Sequence, residues 1–252
     1  LTVWTIHDDD HSLMGMAPLL IDKQNGKLVA SMIGCEEVTD YVDLVYPSDN
    51  EGATDALAAL LKEICSPKSP HWDEWHICNI PESSKTLAIL PGLAQRYGLK
   101  VEQQIADVCP AISLPSEYEA YLATIDKKQR HELRRKRRRA EAHPIEWYHT
   151  DKGSDFNFEI EQFLDLMRMS TRDKAGFLTE AGHVDFFRDI GNFFSEKGWL
   201  ELSFLLIDGH PAAALWYFNY KERVMLYNSR LNPDDFGGLS PGIVLLLLNI
   251  EK

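Results

Sequence analysis

Cysteine is scarce in this chain: Cys35, Cys65, Cys78 and Cys109 are its four, widely spaced and without a CxxC pair. That excludes a disulfide framework and a cysteine-based zinc module, and the expectation is reduced, buried thiols in a cytoplasmic protein. The nine histidines show no HExxH or other ligand spacing, so no metal site is expected. There is no GxSxG elbow, no Walker loop and no GxGxxG fingerprint. The longest aliphatic run, Ile243 to Leu248, is far too short to span a bilayer. The chain opens on Leu1 in strand-like sequence and stops inside a helix at Lys252, so it reads as truncated at both ends.

Positive charge is also lacking, except in one place. The formal net charge is −13, yet residues 127–139 hold nine Lys or Arg and a single acid, Glu132. An acidic body with one basic helix does not fit a general nucleic-acid binder, which spreads basic charge over a face.

What is present is an alternation of strands and helices. Leu1–His7, Leu13–Ile21, Lys27–Gly34 and Tyr41–Tyr46 read as strands. Leu57, Leu60, Leu61 and Ile64 mark a helix from about Gly52 to Ile64. Trp75–Ile80 reads as a buried strand, a helix follows up to Gly98, and Leu99–Val108 returns as a strand. Ser116–Ala142 reads as one long helix, with Arg130, Arg134 and Arg138 on one face, ended by Pro144. Then come the short strand Ile145–His149, a helix through Ile160–Met167, and a helix through Phe187–Phe194 stopped by Gly198. Three strands follow, Trp199–Ile207, Pro211–Tyr220 and Arg223–Leu231; the short turns between them predict antiparallel pairing. This is an α/β (α+β) pattern, divided as residues 1–115, a basic linking helix 116–143, and residues 144–252.

The run Gly237-Gly238-Leu239-Ser240-Pro241-Gly242 stands between the last strand and an apolar helix. Ser240 reads as an N-cap and Pro241 as the first helical residue. The glycines remove side chains where a ligand can touch backbone, and a helix start suits a phosphate. A simple capped helix after a tight loop is the alternative.

The element order is similar to the GNAT acyltransferase fold. The stretch 204–214, FLLIDGHPAAA, followed by Leu239-Ser240-Pro241-Gly242, resembles the acetyltransferase family that includes the cellulose-biosynthesis protein CelD, related to the FemABX aminoacyl transferases. Lys127-Lys128-Gln129-Arg130 with Arg134-Arg135 matches that family's basic helix, and Val38–Asp43 its Asp-Tyr segment. The resemblance implies two tandem GNAT-like units, each a mixed, largely antiparallel sheet flanked by helices. It implies transfer of an acyl group from acetyl-CoA or another acyl-CoA, without a metal, to an amine or hydroxyl of a sugar, polysaccharide precursor or peptide.

On this template Gly237, Gly238, Leu239, Ser240 and Gly242 cradle the CoA pyrophosphate. Tyr227 donates to the leaving thiolate, or is simply a sheet residue with its hydroxyl at the surface. Asn228 and Arg230 share one strand face and contact substrate, while Tyr227 and Ser229 take the other face. Asp40, Tyr41 and Asp43 are the acidic cluster for proton transfer, against the alternative of solvated acids at a strand start. The acids Asp49, Glu51 and Asp55 near the corresponding helix of the first unit disfavour a phosphate there, which assigns the donor to the second unit. The basic helix is a solvated face, a phosphate clamp led by Arg130 and Arg134, or a tRNA contact as an aminoacyl-tRNA-dependent transferase requires. A non-catalytic glycan- or nucleotide-binding role is the remaining alternative.

Overall fold

The computed structural model describes residues 1–34, 38–151 and 153–252, with backbone alone over 172–174. The chain forms two compact units, Leu1–Ala111 and Ile112–Lys252.

The first unit is built on strands β1 (Thr2–His7), β2 (Leu13–Gln24), β3 (Lys27–Met32) and a later β4 (Glu74–His76), in the sheet order β1-β2-β3-β4. The β2–β3 hairpin turns on Asn25-Gly26, whose positive φ angles of 50° and 86° suit the twist of antiparallel strands. Helix α1 (Asn50–Ile64) buries Leu57, Leu60, Leu61 and Ile64 against Ala17, Leu19, Ala30 and Met32. Each such leucine contributes roughly 1.5–3 kcal/mol by leaving water. Gly15 of β2 lets α1 come close, since a Cβ there would lie 3.3 Å from Ala56 and Leu60. Helix α2 (Lys85–Arg96) is capped by Ser84 and ends at Gly98, whose φ is +75°.

Three expected strands of this unit are corrected. Residues 41–46 form no ladder beyond a single bridge, Met16 to Val45. The β3 pairing with β2 ends at Leu19, and Val45 fills the vacated edge for one residue pair. The expected alternation survives only as burial, with Val42 and Leu44 in the core. The strand at Trp75 is short, parallel to β3 and half-exposed rather than buried, because it is the sheet's outer edge. Residues 99–108 are not a strand: Leu99 and Val101 reach the core, whereas Ile105 and Val108 lie in solvent. The thiol expectation is also amended: Cys65 and Cys78 are half-buried, Cys109 is exposed, and Cys35 lies outside the described residues.

In the second unit the expected long helix is two: α3 (Tyr118–Thr124) and α4 (Lys127–Ala140). Ile125 is extended, and the Asp126 carboxylate accepts from the N–H groups of Lys128 and Gln129. A β-branched residue followed by a strong N-cap ends one helix and starts the next. Next come β5 (Ile145–His149), α5 (Phe156–Ser170), α6 (Arg172–Phe177, not foreseen) and α7 (His183–Glu196). The strands β6 (Leu200–Ile207), β7 (His210–Tyr220) and β8 (Arg223–Leu231) follow, then α8 (Pro233–Phe236) and α9 (Pro241–Glu251).

The sheet order is β5-β6-β7-β8, antiparallel throughout. Alternation along β7 sends Ala214 and Trp216 into a core with Phe163, Phe187 and Phe204, and Ala213 and Leu215 into another with Val244, Leu245 and Leu248. The first core is covered by α5 and α7, the second by α9, with Ala140 of α4 buried in it. Gly191 sets the approach of α7: a Cβ there would lie 2.5 Å from Ile160 Cδ1 and 3.0 Å from Trp216. At the far end of α9, Asn249 donates to Ser203 Oγ (2.9 Å) and accepts from Tyr217 OH (2.9 Å), tying the helix to β6 and β7.

Candidate functional site

The glycine-rich run begins on α8, which Asn232 caps by accepting from Asp235 N–H, while its amide donates to the Asp235 carboxylate at 3.0 Å. Gly237–Leu239 then forms a 3-10 turn, and Ser240 sits in the left-handed region at φ 56°, ψ 50°. This corrects the N-cap expectation. A side-chain cap needs extended backbone, and Ser240 makes no side-chain cap bond. Its carbonyl accepts from Ile243 and Val244 instead.

Nothing in the fold requires glycine here. Gly237, Gly238 and Gly242 all have negative φ. A Cβ on Gly237 or Gly238 would meet open space, and one on Gly242 only an ordinary 3.6 Å contact with Leu231. Among the described residues the Gly242 N–H has no acceptor. With Pro241 at its first position and no acid in its first turn, α9 presents an open positive end. Asp234 is exposed, and Asp235 is exposed but held by Asn232.

The fold adds a neighbour. Helix α4 packs against both the Gly237–Leu239 turn and α9. His131, Arg134, Arg137, Arg138 and Glu141 line a shallow cavity of about 370 Å³ on it. Much of the charge is already engaged: Arg134 pairs with Glu119 (2.7 Å), Arg135 with Glu132 (2.7 Å), and Arg137 with Glu141 (2.8 Å) and Glu251 (2.6 Å). Arg130 donates to the Leu122 carbonyl at 3.3 Å. Arg130 and Arg134 thus fasten α4 to α3. Arg138 donates to the Arg134 carbonyl, and among the described residues it has no carboxylate partner.

On β8 the strict alternation breaks. Trp216 pairs with Asn228 but Tyr217 with Leu226, so Tyr227 is the extra residue of a β-bulge. The bulge turns Tyr227 onto the face expected for Asn228 and Arg230. Its ring lies 5.6 Å from Phe218, 6.2 Å from Trp216 and 6.3 Å from Phe187. Asn228 is half-buried and accepts from Ser229 N–H. Arg230 is 6% exposed and stands 5.8 Å over the Phe163 ring, and burial lowers its pKa to about 10.

The acidic cluster belongs to the first unit. Asp43 accepts from Ser84 Oγ and Thr86 Oγ1, each at 2.6 Å, and from Leu44 N–H at 2.8 Å, anchoring the start of α2. Asp40 lies at the surface, with its carboxyl pushed above the ordinary value by partial desolvation. Tyr41 is half-exposed, and its hydroxyl is raised by a hydrogen bond to Cys109. One buried acid escaped the sequence reading: Glu159 of α5 accepts from Tyr148 OH at 2.9 Å, and desolvation raises both groups. At four residues past Asp155, Glu159 looks in sequence like an ordinary acid of a first helical turn. Among the described residues no group of three candidate ligands gathers for a metal, and no helix is long and apolar enough to cross a membrane.

Residues 127–252, half of the chain, match the acetyltransferase (GNAT) domain family, and the chain belongs to that family. The fold is similar to the crystal structure of FemX, with a TM-score of 0.60 and 14% identity over 99% of this chain and 75% of that one. It is also similar to the C-terminal domain (DUF2156) assigned to a lysylphosphatidylglycerol synthetase from Agrobacterium fabrum, with a TM-score of 0.50 and 13% identity over 99% of this chain and 66% of that one. At such identities the likeness is one of fold. No curated protein matches the chain.

Proposed function

We propose that the chain carries an acyltransferase that moves an acyl group from a coenzyme A thioester to an amine or hydroxyl of a sugar, polysaccharide precursor or peptide. The observation that carries this reading is the start of α9: three glycines that the fold does not need, a free Gly242 N–H, no acid in the first turn, and the basic helix α4 packed alongside. The donor pyrophosphate would sit on the backbone of Gly237, Gly238, Leu239, Ser240 and Gly242, as a helix start favours. Arg138 of α4 would add charge, since it is not spent on a carboxylate.

In the transfer, the acceptor nitrogen or oxygen attacks the thioester carbonyl, its proton passes to a base, and the thiolate leaves and is protonated. Tyr227, with Asn228 and Arg230 on the same strand, supplies the group for the leaving thiolate. Of the candidate first-unit acids, Asp40 is the one whose carboxylate is left for proton transfer, because Asp43 accepts four hydrogen bonds and serves α2. A coenzyme A donor fits a reaction in the cytoplasm.

Titration calorimetry with CoA and acetyl-CoA tests the reading: micromolar binding is expected, and an absence of heat for both ligands overturns it. Asp40→Asn is expected to lower turnover without changing CoA affinity. A second reading, aminoacyl transfer from charged tRNA, draws on the FemX-like fold and on the basic helix α4. Salt-sensitive tRNA binding in the absence of CoA binding would favour it.

A further inference from the structure

Arg230 is a charge that the fold buries and does not use. Its side chain points into the core shared by β7, β8 and α5, over the Phe163 ring, and is nine-tenths buried. One nitrogen donates to the Ser229 carbonyl at 2.6 Å. Among the described residues the buried Nε has no acceptor, and no carboxylate lies within ion-pair distance. The same ring has a second orphan. Trp216 packs edge-on to Phe163 at 5.3 Å, is fully buried, and its indole N–H also lacks an acceptor. A guanidinium does not escape its desolvation penalty by losing a proton at neutral pH, and a cation–π contact compensates only part of it. Elsewhere in this unit arginines are matched, as Arg134, Arg135, Arg137 and Arg188 are by carboxylates. Replacing an unmatched buried ion by an apolar side chain of similar volume ordinarily stabilises a protein.

We propose that Arg230 is the anchor of a bound oxyanion, a carboxylate or phosphate group of a ligand taken up at the seam between β8 and α5. The guanidinium fork has its Nε edge free for such a group, and a planar fork pairs with two oxygens at once. Trp216 contacts the same Phe163 ring, and its indole N–H has no acceptor among the described residues. This site is separate from the Gly237–Gly242 turn and does not depend on the CoA reading.

The test uses the full chain and two probes, inorganic phosphate and acetate, each followed by calorimetric unfolding against a chloride control. Wild type is expected to gain several degrees in Tm with at least one probe. The probe that acts tells phosphate from carboxylate recognition. Arg230→Met is expected to have a higher Tm than wild type without anion and to lose the anion-dependent rise. Arg230→Lys is expected to keep a rise with a midpoint at least about tenfold weaker, and it serves should the methionine variant not fold. A wild-type Tm indifferent to both anions, or an equal rise in the variants, overturns the proposal. CoA affinity measured on the same samples separates the two readings. A wild-type chain that binds CoA but shows no anion effect removes this site only, and a wild-type anion effect without CoA binding removes the CoA reading only.

Discussion

Helices α1 and α9 cross comparable four-stranded sheets in the two units, yet their N-termini are finished in opposite ways. At α1 the Asp49 carboxylate accepts from Gly52 N–H at 2.7 Å, Glu51 adds charge in the first turn, and Lys85 reaches the Ser48 carbonyl. The backbone hydrogen bond from Gly52 holds the Asp49 carboxyl below its ordinary pKa. At α9 no acid enters the first turn, Ser240 is left-handed and caps nothing with its hydroxyl, and Gly242 N–H has no acceptor among the described residues. The first helix satisfies its own positive end. The second leaves that end open among the described residues, beside a helix rich in arginine, where the proposed function puts the donor pyrophosphate. A side-chain cap and a bound anion use the same few N–H groups, and the first unit gives them to its own acid.

The largest effect is expected from giving α9 the character of α1. Gly242→Glu places an acid at the helix start, where the fold has room for it, so Tm should hold or rise. CoA affinity should fall by about 100-fold, roughly 2.7 kcal/mol by calorimetry; an unchanged affinity would remove this turn from the donor site. The next effect lies in the first unit. Asp43→Ala removes the carboxylate that accepts from Ser84 and Thr86 and should cost about 1–3 kcal/mol in urea unfolding. CoA affinity should stay at the wild-type value, because the anchor serves α2. Gly237→Ala should stabilise by about 0.5–1 kcal/mol, since that residue is already helical with open space around its Cα, and should weaken CoA several-fold. The smallest effect is one of pH. Asp49 has a lowered pKa when folded, so its contribution is complete above the unfolded carboxylate pKa and is lost as pH falls through the folded one. Asp49→Asn caps as well but does not titrate, so acid unfolding curves should be shallower for the variant and coincide with wild type at pH 7.

Local pattern made much of the fold legible. The leucine spacing of α1, the stops at Gly98 and Gly198 (φ +75° and +68°) and the three antiparallel strands of the second unit all follow from contacts within a few residues. The glycine-rich turn was equally visible, because its residue types speak for themselves. Errors gathered where a distant partner decides. Residues 41–46 have strand composition, yet β2 offers them only the edge at Met16. Tyr227 was assigned a face by period two, and a bulge opposite Trp216 and Tyr217 moved it. Nor does local sequence show that Ser84 and Thr86, more than forty residues away, donate to Asp43.

The sequence by itself determined the elements and their order, the one basic helix in an acidic chain, and the unusual start of α9. Those features rest on backbone preference and on apolar spacing, which each segment carries with it. Tertiary structure alone decided that α4 lies against the Gly237–Leu239 turn and that Arg230 is buried without a counter-ion. Both depend on which side chains meet across the sheet, and burial turns an ordinary arginine of the sequence into a charge with no carboxylate partner among the described residues.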